Sequence, residues 1–599
     1  MKKLNLIIPL LFLILFLSFD AINPAAVAQT DVTPTPLPLF ALPDARLNRS
    51  FTSGSMALLS DGRTLVATNA VNDTVTIAIP SQNTVINEIR VGRDPRGVAI
   101  TLDDARALVT NRADGTLSVI DIRETSVTAT YELGGIFPYA VVIGGNQTAY
   151  ISLMGSDEIV EIDVNTGDII ARIAVPANPA GLALWGDFLY VTHFWTGDLT
   201  LIYLPQRRIA QTTRTGSDMG VTQAVELDIT RGLAYVPGTR TFHENPSLTY
   251  DSAVFPVVNV VDLSDNAAQR TERIAVDTAD RPVNLPFATA LDRFSQRLYV
   301  VNAGSDDLSV IDLTTGVARA HVDVGSNPRG VLLNRDNTLL YVHNTLDATI
   351  TTISTEDLAV LSTLPISNLT VSVDVLLGAQ LFFGADDARM TRDSWLSCAN
   401  CHFDGMTDGR VWRGFPDGAR NTPVLYALVE TPPYNWSATW TDLAQVELKI
   451  RALHGGTGLI EDSILPPPAD TVGDLAVQTD LALLTAYLTT LTPPSPSIRE
   501  SSMLIQRGAE VFAEQDCASC HVGAVGTNLQ AYAVGTGAAD EMFDTPSLRW
   551  LRWSAPYYHD GTAATLYEVF AREGTHQLIY TVSREDIDAL IAYLFGLPE

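Results

Sequence analysis

The chain has 599 residues, 46% hydrophobic and 18% charged. That balance excludes the disordered and polytopic membrane classes and leaves room for several domains with their own cores. A net charge of −30 argues against nucleic acid or an anionic membrane surface as partner. A basic protein or a cationic small molecule suits that field, as does the simpler role of keeping an exported chain soluble. Met1-Lys2-Lys3 and the apolar run Leu4 to Phe19, closed by Asp20 and followed by Ala26-Val27-Ala28, read as a secretory signal over residues 1–28. The run is shorter than the about 20 residues a span needs, so cleavage is favoured over retention as an anchor. No other stretch is apolar enough to cross a bilayer, which predicts a periplasmic or extracellular protein without a span after cleavage. Residues 29–45, proline-rich from Thr33 to Pro43, read as an extended linker.

From about residue 46 a unit repeats. Pro95-Arg96-Gly97 leads into Ala107-Leu108-Val109-Thr110-Asn111 and then Thr116 to Asp121. The order returns at Pro138, Pro179, Pro286 and Pro328, with steps of 43 residues (Pro95 to Pro138) and 42 residues (Pro286 to Pro328). Asn69 stands 42 residues before Asn111, and a divergent copy from Val221 to Ala275 carries an insertion around Arg240 to Ser252. Three or four short alternating strands at a 40–45-residue period are the mark of β-propeller blades. Seven copies predict a seven-bladed propeller over residues 46–365. Tyr299-Val300-Val301-Asn302 and Tyr341-Val342-His343-Asn344 resemble the YVTN family of propeller repeats, a likeness that implies fold more than function. His193, His243, His321 and His343 fall in blades and are read as structural.

From Val371 the alternation gives way to helical periodicity, and six of the eight tryptophans follow. Cys398-Ala399-Asn400-Cys401-His402 and Cys517-Ala518-Ser519-Cys520-His521 both read C-x-x-C-H, and together they use all four cysteines. Two thiols at that spacing bond the two vinyl groups of one porphyrin, and the next histidine is held to ligate the iron. A zinc pair or a redox disulfide would not require a histidine directly after the second cysteine twice. Two covalently bound c-type haems are expected, on His402 and His521.

This half is duplicated. Gly378-Ala379-Gln380-Leu381-Phe382 and Gly508-Ala509-Glu510-Val511-Phe512 precede the motifs; Thr422-Pro423 and Thr545-Pro546 follow them. Pro433-Tyr434 and Pro556-Tyr557 come ten residues later, and Ala486-Tyr487-Leu488 and Ala592-Tyr593-Leu594 close the copies. The expected fold is thus multidomain: an all-β propeller, then a mostly α tandem of cytochrome c-like domains over 371–492 and 498–599.

SCANCH, RNTPVL (Arg420 to Leu425), CASCH, DTPSLRW and APYYHDG (ending at Gly561) resemble the bacterial diheme cytochrome c peroxidases and their MauG-type relatives. The resemblance covers roughly Val371 to Glu599. It implies an oxidoreductase in which one haem meets hydrogen peroxide and the other relays electrons from a small redox protein or other donor. It implies that Trp436 bridges the haems, and that a calcium ion between the haem domains takes the side chain of Asn421 and the carbonyls of Ser554 and Pro556.

The departures from the family are informative. Phe415 stands where a distal histidine is usual, which leaves the first haem open. Glu573 stands where methionine or tyrosine caps the second. The assisting glutamine and glutamate fall near Val446 and Gly456; Gln445 is one position off, and His454 and Glu447 stand close enough to substitute as acid–base groups. His576 is the candidate sixth ligand of the second haem, and His454 a distal base or ligand of the first; the alternative for each is a loop histidine. His559 is read as either hydrogen-bonding or ligating. A second function stays open: a non-enzymatic electron-transfer or docking protein whose propeller binds a partner. The oligomeric state is not legible.

Overall fold

The computed structural model describes residues 52–597 apart from 145–146, 250–251, 264–268, 463–464, 466–478, 494–501 and 539. The signal and linker expected before residue 46, and most of the segment between the two haem copies, lie outside the described residues.

Strands from Met56–Leu58 to Val360–Pro365 form seven antiparallel sheets, each built from consecutive strands. Six have four strands. The divergent fifth has five, because its insertion lengthens a hairpin of Leu233–Thr241 paired with Val254–Asp262. The repeat is written in side-chain hydrogen bonds as well as in strands. At the end of the second strand a buried asparagine amide donates to two hydroxyls of the third: Asn69 to Thr74 and Thr76, Asn111 to Thr116 and Ser118, Asn344 to Thr349 and Thr351. Blade four replaces the asparagine by His193, whose Nε2 lies 2.8 Å from the Thr200 hydroxyl. Between blades, the amides of Asp94, Asn178 and Asn327 donate to the carboxylates of Asp73, Asp157 and Asp306, each 21 residues earlier.

Ring closure needs no exchanged strand. Blade one packs on blade seven through Leu65, Ala78, Tyr341 and Ile350, and the Thr76 hydroxyl donates to the Ile366 carbonyl at 2.7 Å. The chain before blade one does something the repeat did not predict. Thr52 pairs with Ala183 of blade four, the Ser53 amide donates to the Leu182 carbonyl, and Val98 of blade two donates to Gly54. The entering strand therefore reaches the innermost strands of blades two and four.

The C-terminal region has fewer helices than its periodicity suggested. Among the described residues, helices α1 (Val373–Phe383), α2 (Ala399–His402), α3 (Val446–Ala452), α4 (Asp480–Leu488), α5 (Ser502–Glu514), α6 (Leu566–Ala571) and α7 (Arg584–Phe595) are short and few. The duplication is structural: α1 crosses α4 as α5 crosses α7. Gly378 sets the first crossing, where a Cβ would fall 2.0 Å from the Leu483 carbonyl oxygen. Gly508 sets the second, with a Cβ 2.1 Å from that of Ala589. The glycines that open each copy meet the Ala-Tyr-Leu helices that close it, so the motif residues far apart in sequence are one contact.

The haem region lies against the propeller with a shared core. One continuous apolar cluster includes Phe137, Leu182, Phe194 and Phe287 of the blades and Phe382, Phe403, Tyr426, Trp550 and Trp553 beyond them. Phe137 and Trp553 rings stand 4.5 Å apart. Burying several large aromatic side chains at about 2–3 kcal/mol each makes this a tight union rather than a tether between independent modules.

Candidate haem sites

Each C-x-x-C-H stretch folds as one tight turn. The His402 amide donates to the Cys398 carbonyl at 2.9 Å and the His521 amide to the Cys517 carbonyl at 3.0 Å. The turn puts both cysteines and the histidine of each motif on one small platform. None of the four thiols is in a disulfide. Burial raises the Cys398 thiol to about 12 and pushes Cys401 and Cys517 upward as well.

The propeller holds the first platform in place. Asn284 of blade six donates its amide to the Trp395 carbonyl at 2.9 Å and accepts from the Ser397 hydroxyl. Phe403, directly after His402, is 1% exposed among Phe194, Phe287 and Phe383. Asp404 follows, buried, with Arg329 on both carboxylate oxygens at 2.8 and 3.1 Å, Arg96 at 3.0 Å and Arg112 at 3.7 Å. Burial opposes its ionisation, but the three guanidiniums outweigh that and hold the carboxyl far below the usual range.

His402 is held neutral, at about 4, chiefly by burial; the Pro423 carbonyl favours its protonation and His454 opposes it. That carbonyl lies outside hydrogen-bond geometry, since His402 Nδ1 has no partner among the described residues. His454 is likewise held at about 4 by burial, its Nδ1 unpartnered. The influence of His454 on His402 puts it in the surroundings of that residue. Phe415 packs, as do Cys401 and Leu248 of the blade-five insertion, against a cluster that includes Trp395 and Trp412. Lys449 stands over the Phe415 ring at 4.4 Å and pairs with Asp417 at 3.6 Å.

The second platform has a different opposite side. His521 Nδ1 bonds the Gly526 carbonyl at 2.9 Å, which leaves Nε2 for iron. The His576 ring faces it with centroids 6.3 Å apart. Two imidazoles across one metal, each bonded at about 2 Å, with about 1 Å from nitrogen to ring centre, would stand about 6 Å apart. His576 is held neutral, at about 4, first by burial and then by His521, and a neutral imidazole is the ligating form.

Trp436 joins the copies: its Nε1 donates to the Asn421 carbonyl at 2.9 Å, and its own carbonyl accepts from the Asp544 amide at 2.9 Å. The Asn421 side chain points at the Ser554 and Pro556 carbonyls. Its Oδ1 is buried without a partner. Turning the amide over, which heavy-atom positions alone do not forbid, brings three oxygens together, a donor set that fits calcium.

Other candidates are placed elsewhere. Glu447, fully buried, accepts from the Leu459 amide at 3.0 Å and pairs with Arg451 at 2.7 Å. Gln445 closes a capping box with Asp442. His559 stacks on Phe543 at 3.8 Å, and Glu573 is exposed. Unforeseen were Asn284, Asp404 and the arginines around it. Asp404 had a signal, an acid directly after Phe403 beside the motif; its partners, up to about 300 residues away, had none.

Residues 505–598 match the family Cytochrome c. The chain is 26% identical to a cytochrome c551 peroxidase of Pseudomonas aeruginosa over 273 residues, 37% of this chain and 77% of that one. It is also 26% identical to the methylamine utilization protein MauG of Methylorubrum extorquens, over 34% of this chain and 69% of that protein. A cytochrome c peroxidase of Escherichia coli K12 is 26% identical over 37% of this chain and 57% of its own length. The chain is a seven-bladed propeller followed by a cytochrome c-type region similar to these peroxidases.

Proposed function

We propose that this is an exported oxidoreductase with two c-type haems, which reduces hydrogen peroxide or uses it to oxidise a partner. Cys398, Cys401 and His402 would hold one haem, and Cys517, Cys520 and His521 the other. Bound there, the haems supply one-electron redox chemistry and, where a coordination position is open, a binding position for peroxide. The observation that carries the reading is the asymmetry of the two opposite sides: the His576 ring stands 6.3 Å from that of His521, whereas Phe415, with no lone pair, shares a cluster with Cys401, and His454 acts on His402. The second site is therefore the relay and the first the place of reaction.

The chain's own groups then have definite work. His454, neutral above about pH 4, accepts a proton from peroxide and returns it to the departing oxygen. Lys449 offers positive charge beside it. Peroxide, two protons and two electrons give two waters, the electrons coming one at a time from an external donor such as a small redox protein. Trp436, tied to both copies, is the bridge, and Asn421 with Ser554 and Pro556 is the calcium site that fixes their separation. Glu447 anchors the 458–460 loop rather than acting as the base.

Gln445 and Glu447 are both engaged in holding the backbone, and that favours the second reading, electron transfer without peroxide chemistry. Stopped-flow mixing of the half-reduced protein with peroxide separates the two. Rapid turnover of an electron donor, lost in His454→Ala with both haems retained, supports the enzyme; peroxide-independent donor oxidation alone supports the carrier.

A further inference from the structure

At the centre of the propeller lies a cavity of about 40 Å³, room for more than one water but not for an organic metabolite. Its walls include Arg96, Arg329, Tyr139, Gln223 and Thr345, with Ser53 from the entering strand. Two features of those walls are unexplained by the fold.

The first is charge. Arg96, Arg112 and Arg329 face two carboxylates, Asp94 and Asp404: Arg96 and Arg112 pair with Asp94 at 2.7 and 2.5 Å, and all three reach Asp404. Three positive charges against two leave one uncompensated, in a place where Arg112 and Arg329 are each less than 10% exposed. An isolated buried charge costs several kcal/mol unless something of opposite sign joins it. The second feature is the set of unpartnered groups. Tyr139, kept protonated by burial, donates its hydroxyl to Gln223 Oε1. In that arrangement Nε2 is the free end of the amide. Gln223 is 4% exposed and its Nε2 has no partner among the described residues; Thr345 is 8% exposed and its hydroxyl also has none. The cavity thus joins hydrogen-bond donors to an excess of positive charge. Water would satisfy the donors but not the charge.

We propose that this cavity binds one small monovalent anion of the halide class, held by Gln223 Nε2, the Thr345 hydroxyl and the outer N–H groups of Arg96 and Arg329. The anion completes the charge balance of the cluster that grips Asp404. Because Asp404 stands two residues from His402, it also reinforces the seat of the first haem site. The proposal rests on the blades and on Asp404 of the C-terminal region, and is independent of the activity proposed above.

Sodium bromide is the probe, with the full-length haem-loaded protein. Thermal unfolding followed at rising bromide, with sodium gluconate keeping ionic strength constant, should show a saturable rise in Tm, since gluconate is too large for the cavity. Beyond half-saturation, each tenfold increase in bromide adds a constant increment. Gln223→Met, which keeps volume but removes the donor, should weaken half-saturation at least about tenfold, the worth of one charge-assisted hydrogen bond. Bromide-soaked crystals should give an anomalous peak beside Gln223 Nε2. A flat Tm, an unaltered half-saturation in Gln223→Met, or water or a haem propionate in the cavity in place of the peak would each overturn the proposal. Should Gln223→Met not fold, Thr345→Val and the wild-type anomalous map carry the same decision.

Discussion

Replacing Asp404 by asparagine removes one negative charge from a site where it meets Arg329 at 2.8 Å, Arg96 at 3.0 Å and Arg112 at 3.7 Å. The size and shape of the side chain barely change, so the effect isolates charge. Three guanidiniums would then face Asp94 alone, an excess of two. Breaking a buried ion pair by removing one partner costs about 3–5 kcal/mol, because the remaining charge stays desolvated. The loss should appear first as weakened docking of the haem region, since Asp404 is its deepest ionic contact with the blades. Urea unfolding read by haem absorbance and by tryptophan fluorescence should give coincident transitions in the wild type and a displaced, earlier haem transition in Asp404→Asn. The paired change Asp404→Leu with Arg329→Met restores the original excess of one, and should recover much of the loss.

The acid side follows the same logic. The native Asp404 carboxyl titrates below its ordinary value of 3.8, so its stabilisation is complete above that pH and is lost as pH falls below it. Wild-type docking should therefore weaken in acid, with that contribution missing from Asp404→Asn. The reasoning fails if the single change costs less than about 1 kcal/mol, the value of an exposed pair, or if the paired change costs as much as the sum of its parts.

Other outcomes follow from named contacts. His193 is held at about 4 against an ordinary 6.5, so its neutral form favours the fold above pH 6.5 and that advantage is lost as pH falls toward 4. His193→Asn, the residue of blades one, two, six and seven, should abolish this dependence, worth up to about 1.4 kcal/mol per pH unit, in pH-series unfolding. His576→Ala should turn the second haem from low-spin to high-spin in ferric spectra with both haems still covalently bound; an unchanged spectrum would remove His576 as a ligand. Trp436→Phe should slow equilibration between the haems several-fold in flash photolysis of the half-reduced protein, whereas an unaltered rate would make it a wall residue. Chelation of calcium, or Asn421→Ala, should lower the thermal stability of the haem region and the inter-haem rate together; independence of both from calcium would remove the site.

The local and periodic features of this protein were legible in its sequence. A propeller blade is a unit of 42 or 43 residues whose strands pair with their neighbours in the chain, so the repeat writes the architecture directly. The haem motifs are equally local: two thiols and an imidazole within five residues need no distant partner to declare their chemistry. The duplicated glycines and Ala-Tyr-Leu helices announced the second symmetry. Tertiary structure decided what depends on non-local approach. Only the fold brings His576 across from His521, or turns Glu447 and Gln445 toward backbone groups. The strand that enters from Thr52 to Ala183, and the blade-five insertion that sets Leu248 beside Phe415, follow no period. Above all, Asp404 and its three arginines join segments up to about 300 residues apart. Buried charges find their counter-charges by three-dimensional complementarity, and sequence spacing has no part in that choice.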